Sequence, residues 1–260
     1  HVHNDPEELG RVYQPDLAIA AGMGELAKAL AAMPAPESRP WAEATRAAHA
    51  DYLAWREPVP NAGALQMAEV VHHLRAELPD DAIVCNGAGN YNGWVNRFFP
   101  YRGFRTQLAP VSGSMGYGLP AAIAAKLVHP GREAVAFAGD GCFLMTGQEL
   151  ATAVQYGIDV KVVVMNNGYL GMVRQWQEMF YERAYSEVDI SVAPDFVKLA
   201  EAYGAAAFRA AGPGELAGVL AAGLNHPGVA VIEVLVSKEE NVFPIVPAGA
   251  NSRDMIVQEG

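Results

Sequence analysis

Apolar residues fall along this chain in short runs separated by longer amphipathic or alanine-rich stretches. Ala82-Ile83-Val84-Cys85-Asn86-Gly87, Glu133-Ala134-Val135-Ala136-Phe137-Ala138, Asp159-Val160-Lys161-Val162-Val163-Val164-Met165 and Val229-Ala230-Val231-Ile232-Glu233-Val234-Leu235 have strand length and nearly unbroken hydrophobicity. That pattern belongs to strands covered on both faces. Ala64 to Leu78, Met115 to Val128, Gln148 to Tyr156, Pro194 to Tyr203-Gly204 and Gly214 to Leu224 have helical composition, with Pro194 expected in a first turn. Short strands are expected at Phe104 to Leu108 and Ala206-Ala207-Phe208-Arg209. Helices alternating with apolar strands predict an α/β fold, a doubly wound and mostly parallel sheet with helices on both faces.

The first sixty residues read differently. Residues 6–12 predict a turn and short helix, Asp16-Leu17-Ala18-Ile19-Ala20 a strand, and Gly24 to Met33 a helix. Pro34-Ala35-Pro36-Glu37-Ser38-Arg39-Pro40 reads as linker. Trp41 to Trp55 reads as an amphipathic helix stopped by Pro58 and Pro60. The expected organisation is therefore an end of one domain over 1–33, a linker and connecting helix over 34–60, and an α/β domain with a tail over 61–260.

A chain of 260 residues with 51% hydrophobic and 18% charged residues has a globular composition. Net charge −11 and the lack of a basic cluster exclude a nucleic-acid surface. No run of 18 apolar residues free of charge or turn signals predicts a membrane span. Cys85 and Cys142 are the only cysteines and read as reduced thiols, pointing to a cytoplasmic setting rather than a disulfide framework.

Chemistry concentrates at the ends of two strand runs. Asp140 follows the first in Gly139-Asp140-Gly141, and Asn167 follows the second in Asn166-Asn167, with a helix between. Strand, helix, strand is a crossover unit, so the two strands can lie side by side and aim both polar residues beyond one edge of the sheet. A carboxylate and an amide oxygen converging there, beside glycines that admit a diphosphate, make a site for a hard cation such as magnesium.

An Asp-Gly followed 27 residues after the acid by the second Asn of a pair resembles the thiamine diphosphate signature. The surrounding Gly139 to Met145, Gln148-Glu149-Leu150-Ala151-Thr152, Leu170-Gly171-Met172-Val173, Gln175-Trp176 and the tail Glu239 to Gly249 resemble the large catalytic subunit of the acetolactate synthase (acetohydroxyacid synthase) family. This resemblance implies a diphosphate-binding domain of the thiamine diphosphate fold, preceded here by the C-terminal end of that family's middle domain. It implies an enzyme of branched-chain amino acid biosynthesis, a transferase or lyase. Such an enzyme decarboxylates a 2-keto acid such as pyruvate on thiamine diphosphate and adds the resulting enamine to a second 2-keto acid. Thiamine diphosphate and Mg²⁺ are the implied cofactors, with FAD possible in the full-length enzyme.

Carried over by motif, Asp140, Asn167 and the backbone carbonyl of Tyr169 are the implied metal ligands. Gly139, Gly141, Cys142, Leu170, Gly171 and Met172 complete the implied diphosphate and thiazole surroundings. Ser112 to Gly118 resembles the loop that holds the aminopyrimidine, with Gly113 and Ser114 beside the ring and Met115 as the apolar fulcrum that bends the cofactor. Met172, Val173 and Trp176 are the implied substrate-channel residues, although their helical spacing also fits an apolar core stripe. A Gln-His-Gln-Met-Trp stretch usual in the family is replaced by Gly87 to Trp94, where Asn90 alone is expected to contribute a hydrogen bond to the cofactor.

No catalytic residue is assigned within the chain. The glutamate that activates the cofactor is expected in a pyrimidine-binding domain, of the same full-length protein and of a partner subunit, in a homodimer or homotetramer. Three other readings stand beside this one: another thiamine diphosphate-dependent decarboxylase or carboligase, a non-catalytic homologue, and a nicotinamide-binding Rossmann enzyme. The last wants Gly-x-Gly-x-x-Gly after its first strand, and Gly87-Ala88-Gly89 followed by Asn92-Gly93 breaks that spacing. His72 and His73 fall on a predicted helix and read as solvated residues.

Overall fold

The structure, a computed structural model, describes residues 1–192 and 194–257. The chain forms two compact units, His1–Ala54 and the residues from Trp55 onward. In the first, strands β1 (Val2–His3) and β2 (Ile19–Ala20) pair in parallel. Asp5 caps a 3₁₀ turn over Pro6–Glu8, and α1 (Met23–Ala31) and the start of α2 (Ala42–Trp55) follow.

The second unit is built on a six-stranded sheet. Its elements are α3 (Met67–Glu77), β3 (Ile83–Asn86), α4 (Tyr91–Phe98), β4 (Gln107–Leu108), α5 (Gly118–Val128), β5 (Ala134–Gly139), α6 (Asp140–Leu144), α7 (Leu150–Gln155), β6 (Lys161–Asn166), α8 (Gly171–Phe180), α9 (Phe196–Ala202), β7 (Ala206–Ala210), α10 (Pro213–Leu224) and β8 (Ala230–Leu235). The strand order is β4-β3-β5-β6-β8-β7, and every pair is parallel. Successive side chains leave opposite faces of a strand, which explains the unbroken apolar runs. Phe137, Val163, Met165 and Ile232 pack with Leu74, Val95, Leu216 and Leu220 of α3, α4 and α10. Ala136, Val162, Val164 and Val231 pack with Ala122, Ile123, Phe196 and Ala200 of α5 and α9. Each large apolar side chain so buried contributes about 1.5–3 kcal/mol.

Two buried ionisable side chains hold this framework at places the apolar pattern does not reveal. Lys161, 1% exposed, opens β6. Its ammonium donates to the Asp159 carboxylate and to the carbonyls of His226 and Gly228. In the tail after β8, both carboxylate oxygens of buried Glu240 accept the Met67 N–H at the first turn of α3, at 3.1 and 3.2 Å. Gln175 of α8 and Val242 exchange two further hydrogen bonds, at 2.8 and 2.9 Å.

Several elements differ in extent from the sequence pattern. The strand expected from Asp16 keeps only Ile19–Ala20, and the one expected from Phe104 keeps only Gln107–Leu108. The helix expected from Ala64 begins at Met67, and the one expected from Met115 begins at Gly118, which leaves Met115 in the preceding loop. Gly116, at φ +81°, accounts for that break. The Gln148 to Tyr156 helix is divided into a 3₁₀ turn over Gly147–Glu149 and α7. Pro194 lies before α9 rather than in its first turn, because Asp195 is the N-cap and accepts from the Val197 and Lys198 amides. Asp140 does not close β5 but opens α6. Helix α4 is not predicted at all: glycines at 87, 89 and 93 mask Tyr91, Trp94, Val95 and Phe98, which are spaced i, i+3, i+4, i+7 and are all buried.

Candidate functional site

Strands β5 and β6 are neighbours in the sheet, and their C-terminal ends deliver Asp140 and Asn167 to one edge. Asp140 is 3% exposed. Its Oδ1 accepts the Gly141 N–H at 2.7 Å, and its Oδ2 accepts the Gly168 N–H at 2.7 Å. Burial pushes this carboxyl up to about 6 against the opposing pull of those N–H groups. Among the described residues no Lys, Arg or His side chain pairs with it.

The turn after β6 is held from both sides. Gly168 adopts φ +69°, a conformation that favours glycine. The Tyr169 N–H donates to Asn167 Oδ1 at 3.0 Å. On the far side, the Leu170 N–H donates to the Val188 carbonyl and the Ile190 N–H to the Gly168 carbonyl, both at 2.9 Å, around an antiparallel Tyr169–Asp189 bridge. In such a non-hydrogen-bonded pair, the N–H and C=O of the central residue face away from the partner strand. The Tyr169 carbonyl therefore faces the side on which Asn167 Oδ1 receives the Tyr169 N–H.

A carboxylate, an amide oxygen and a backbone carbonyl are hard oxygen donors, the set magnesium takes. The buried, cationless Asp140 is the observation that fits a divalent ion best, since a neighbouring cation offsets the cost of its burial. Among the described residues no cluster of three His, Cys, Asp or Glu side chains offers a different metal site.

Around this pair the other expected residues are gathered to different degrees. Gly141 faces Leu170, Ile190 and Met115; a Cβ there would lie 2.7 Å from Leu170 Cδ2 and 3.7 Å from Met115 Cε. Gly113, at φ +67°, has open space where a Cβ would be, and Ser114 is exposed and hydrogen-bonds Ser112 Oγ at 2.7 Å. Asn90 is buried against Gly171, whose hypothetical Cβ would come within 2.6 Å of both amide atoms. Met172 is half-buried on α8, while Val173 and Trp176 are 49% and 45% exposed. The buried residues of that helix are instead Arg174 and Gln175, so the apolar stripe is not a core stripe. His72 and His73 are exposed on α3.

Cys142 has a role the sequence does not disclose. Its Sγ accepts the Tyr91 hydroxyl at 3.1 Å and the Gly116 N–H at 3.0 Å, and the Tyr91 oxygen accepts the Gly87 N–H at 3.1 Å. A thiol and a phenol thus tie together the loop after β3, the Met115 loop and α6. A Cβ on Gly87 would sit 2.5 Å from Cys142 Sγ, and one on Gly139 2.8 Å from the Tyr91 ring, so both glycines are required by this knot. Burial raises the Tyr91 hydroxyl well above its ordinary range, which keeps it a donor. Cys85, within β3, is pushed up to about 12 by burial and is an inert core thiol. The sequence gives one signal for Tyr91, an aromatic residue set among the glycines at 87, 89 and 93.

Residues 87–234 match the family model described as thiamine pyrophosphate enzyme, C-terminal TPP binding domain. The chain is similar to the acetolactate synthase large subunit of Lactococcus lactis, 36% identical over 98% of this chain and 44% of that protein. It is similar also to that of Corynebacterium glutamicum, at 35% over 98% of this chain and 42% of that one. Among solved structures, a thiamine diphosphate-dependent 4-hydroxybenzoylformate decarboxylase of Rhodococcus jostii superposes with a TM-score of 0.74 and 27% identity, over 91% of this chain and 43% of that chain. The chain spans less than half the length of these relatives.

Proposed function

The chain belongs to the thiamine diphosphate-dependent enzymes, through their C-terminal cofactor-binding domain, and from that premise we propose that it serves an acetolactate synthase-like carboligase. Asp140, Asn167 Oδ1 and the Tyr169 carbonyl are the residues that would hold Mg²⁺, and Gly141 lets Leu170 pack close beside them. Met115, 3.7 Å from the Cβ position of Gly141, would supply an apolar surface to the bound cofactor. When bound, thiamine diphosphate supplies the electron sink for loss of CO₂ from a 2-keto acid. The exposed faces of Val173 and Trp176 line the approach of the second 2-keto acid. A pyrimidine-binding domain carrying the activating glutamate, in the intact protein and its partner subunit, covers the other side.

The observation that carries this reading is the buried Asp140 carboxylate, set between two backbone N–H groups at the ends of adjacent parallel strands. Asp140→Ala in the intact protein is expected to abolish Mg²⁺-dependent binding of thiamine diphosphate in a calorimetric titration while the fold persists. Unchanged affinity would defeat the assignment. A second reading, decarboxylation of an aryl 2-keto acid without carboligation, is favoured by the likeness to the 4-hydroxybenzoylformate decarboxylase. Product analysis with pyruvate and with benzoylformate separates the two: acetolactate from pyruvate supports the first, benzaldehyde alone the second.

A further inference from the structure

Three charged or amide side chains lie in a row across the C-terminal ends of β6, β8 and β7. The register pairs Val164 with Glu233 and Glu233 with Arg209. Asn166, two residues beyond Val164, shares their face. The Asn166 Nδ2–H donates to Glu233 Oε1 at 2.6 Å, and the Arg209 Nε–H donates to Glu233 Oε2 at 2.6 Å. Arg209 Nη2 donates onward to Asp195 Oδ1, the N-cap of α9, at 2.6 Å. Glu233 is 2% exposed, a charge embedded in an otherwise apolar strand.

We infer that Glu233, held by Arg209, is a positioning residue that orients Asn166 and through it the turn presenting Asn167 and Tyr169. The inference rests on the metal-site reading above. A carboxylate only accepts hydrogen bonds, so Glu233 takes the NH₂ end of the Asn166 amide and turns Asn166 Oδ1 the other way. That oxygen accepts the Gly168 N–H at 3.0 Å, the same N–H that reaches Asp140 Oδ2 at 2.7 Å. Gly168 is therefore fixed by both the proposed metal ligand and the Glu233 chain. Arg209 fixes which Glu233 oxygen is left for Asn166. An ion pair with one partner buried and the other exposed to solvent adds little stability. Its value here lies in setting the direction of one amide beside the site.

The test uses the intact protein, titrated with thiamine diphosphate at several Mg²⁺ concentrations, with melting of the cofactor-free protein alongside. Glu233→Gln and Asn166→Asp each break the donor–acceptor order. Each is expected to weaken Mg²⁺-dependent binding 10- to 100-fold, on the order seen when outer-shell partners of metal ligands are removed. The double variant Asn166→Asp/Glu233→Gln restores the order with the polarity reversed. Arg209 then donates to the amide oxygen at 233, whose NH₂ donates to the carboxylate at 166, and that carboxylate still accepts the Gly168 N–H. It is expected to recover most of the lost affinity, the non-additivity of residues in one network.

Affinity unchanged in the single variants, or a double variant no better than the sum of its parts, overturns the inference. So does a lowered melting temperature with normal affinity, which would make the row merely structural. If Glu233→Gln does not fold, Arg209→Gln, at a partly exposed position, is expected to weaken binding about tenfold, and unchanged affinity there overturns it as well. Absence of Mg²⁺-dependent binding in the wild-type protein would instead remove the metal-site reading, and this inference with it.

Discussion

Replacing Glu240 by glutamine should make the protein more stable at alkaline pH and leave it nearly unchanged at pH 5. Burial, with repulsion from Glu69, pushes this carboxyl from 4.5 up to about 8, while the Met67 N–H pulls it back. The folded value lies above the unfolded one. Its contribution is therefore fully present below pH 4.5 and is lost as pH rises through the window from 4.5 to 8. At about 1.4 kcal/mol per pH unit, the wild-type cost above that window is about 5 kcal/mol. The N-terminal end of α3, which favours a negative charge at this place, offsets about 1–2 kcal/mol of that. A net cost of about 3 kcal/mol corresponds to a melting shift of about 6–12 °C for a unit of this size. Differential scanning calorimetry of wild type and Glu240→Gln between pH 5 and pH 9 should show curves that diverge with rising pH, the variant melting higher. Parallel curves, or a variant less stable at pH 9, would refute the assignment of Glu240 as a buried carboxyl that resists ionisation.

Tyr91→Phe leaves the Gly87 N–H and the Cys142 thiol without their shared partner and should cost about 1–3 kcal/mol, read by chemical denaturation; a smaller loss would mean the knot is not built on that hydroxyl. Gly171→Ala puts a methyl group 2.6 Å from both amide atoms of Asn90 and should displace that side chain, lowering cofactor affinity in the titration while the melt changes little. Trp176→Leu should keep folding and cofactor binding while shifting the preference between pyruvate and 2-ketobutyrate as acceptors, because one methylene of discrimination is worth about 1–3 kcal/mol; competition assays that show an unchanged ratio would remove Trp176 from the channel.

The legible part of this molecule was its periodicity. The apolar runs at 82–87, 133–138, 159–165 and 229–235 locate four sheet strands to within a residue or two, since strands covered on both faces carry few polar positions to blur them. Asp140 and Asn167 stood out because polar residues at the ends of such strands are directed off the sheet. Contacts between residues far apart in sequence were not legible. Nothing near Cys142 indicates that its sulfur meets a tyrosine 51 residues away, and nothing near Asn166 indicates Glu233 67 residues on. A lone glutamate inside Val229 to Leu235 was nevertheless a readable signal, because an unpaired charge does not survive in a buried strand. Helix α4 was obscured by its own glycines, although its apolar spacing was intact.

Lys161 sits at the opposite end of β6 from Asn166, so the strand separates two kinds of polar work by about 16 Å. At one end an ammonium ties strand starts together through Asp159 and the carbonyls of His226 and Gly228; at the other the chain brings the Asn166–Gly168 turn beside Asp140. Changes more than about 10 Å apart with no shared partner add almost independently. The anchoring end can therefore be redesigned for heat tolerance without retuning the edge that carries Asp140 and Asn167. The sheet acts as a spacer between durability and specificity.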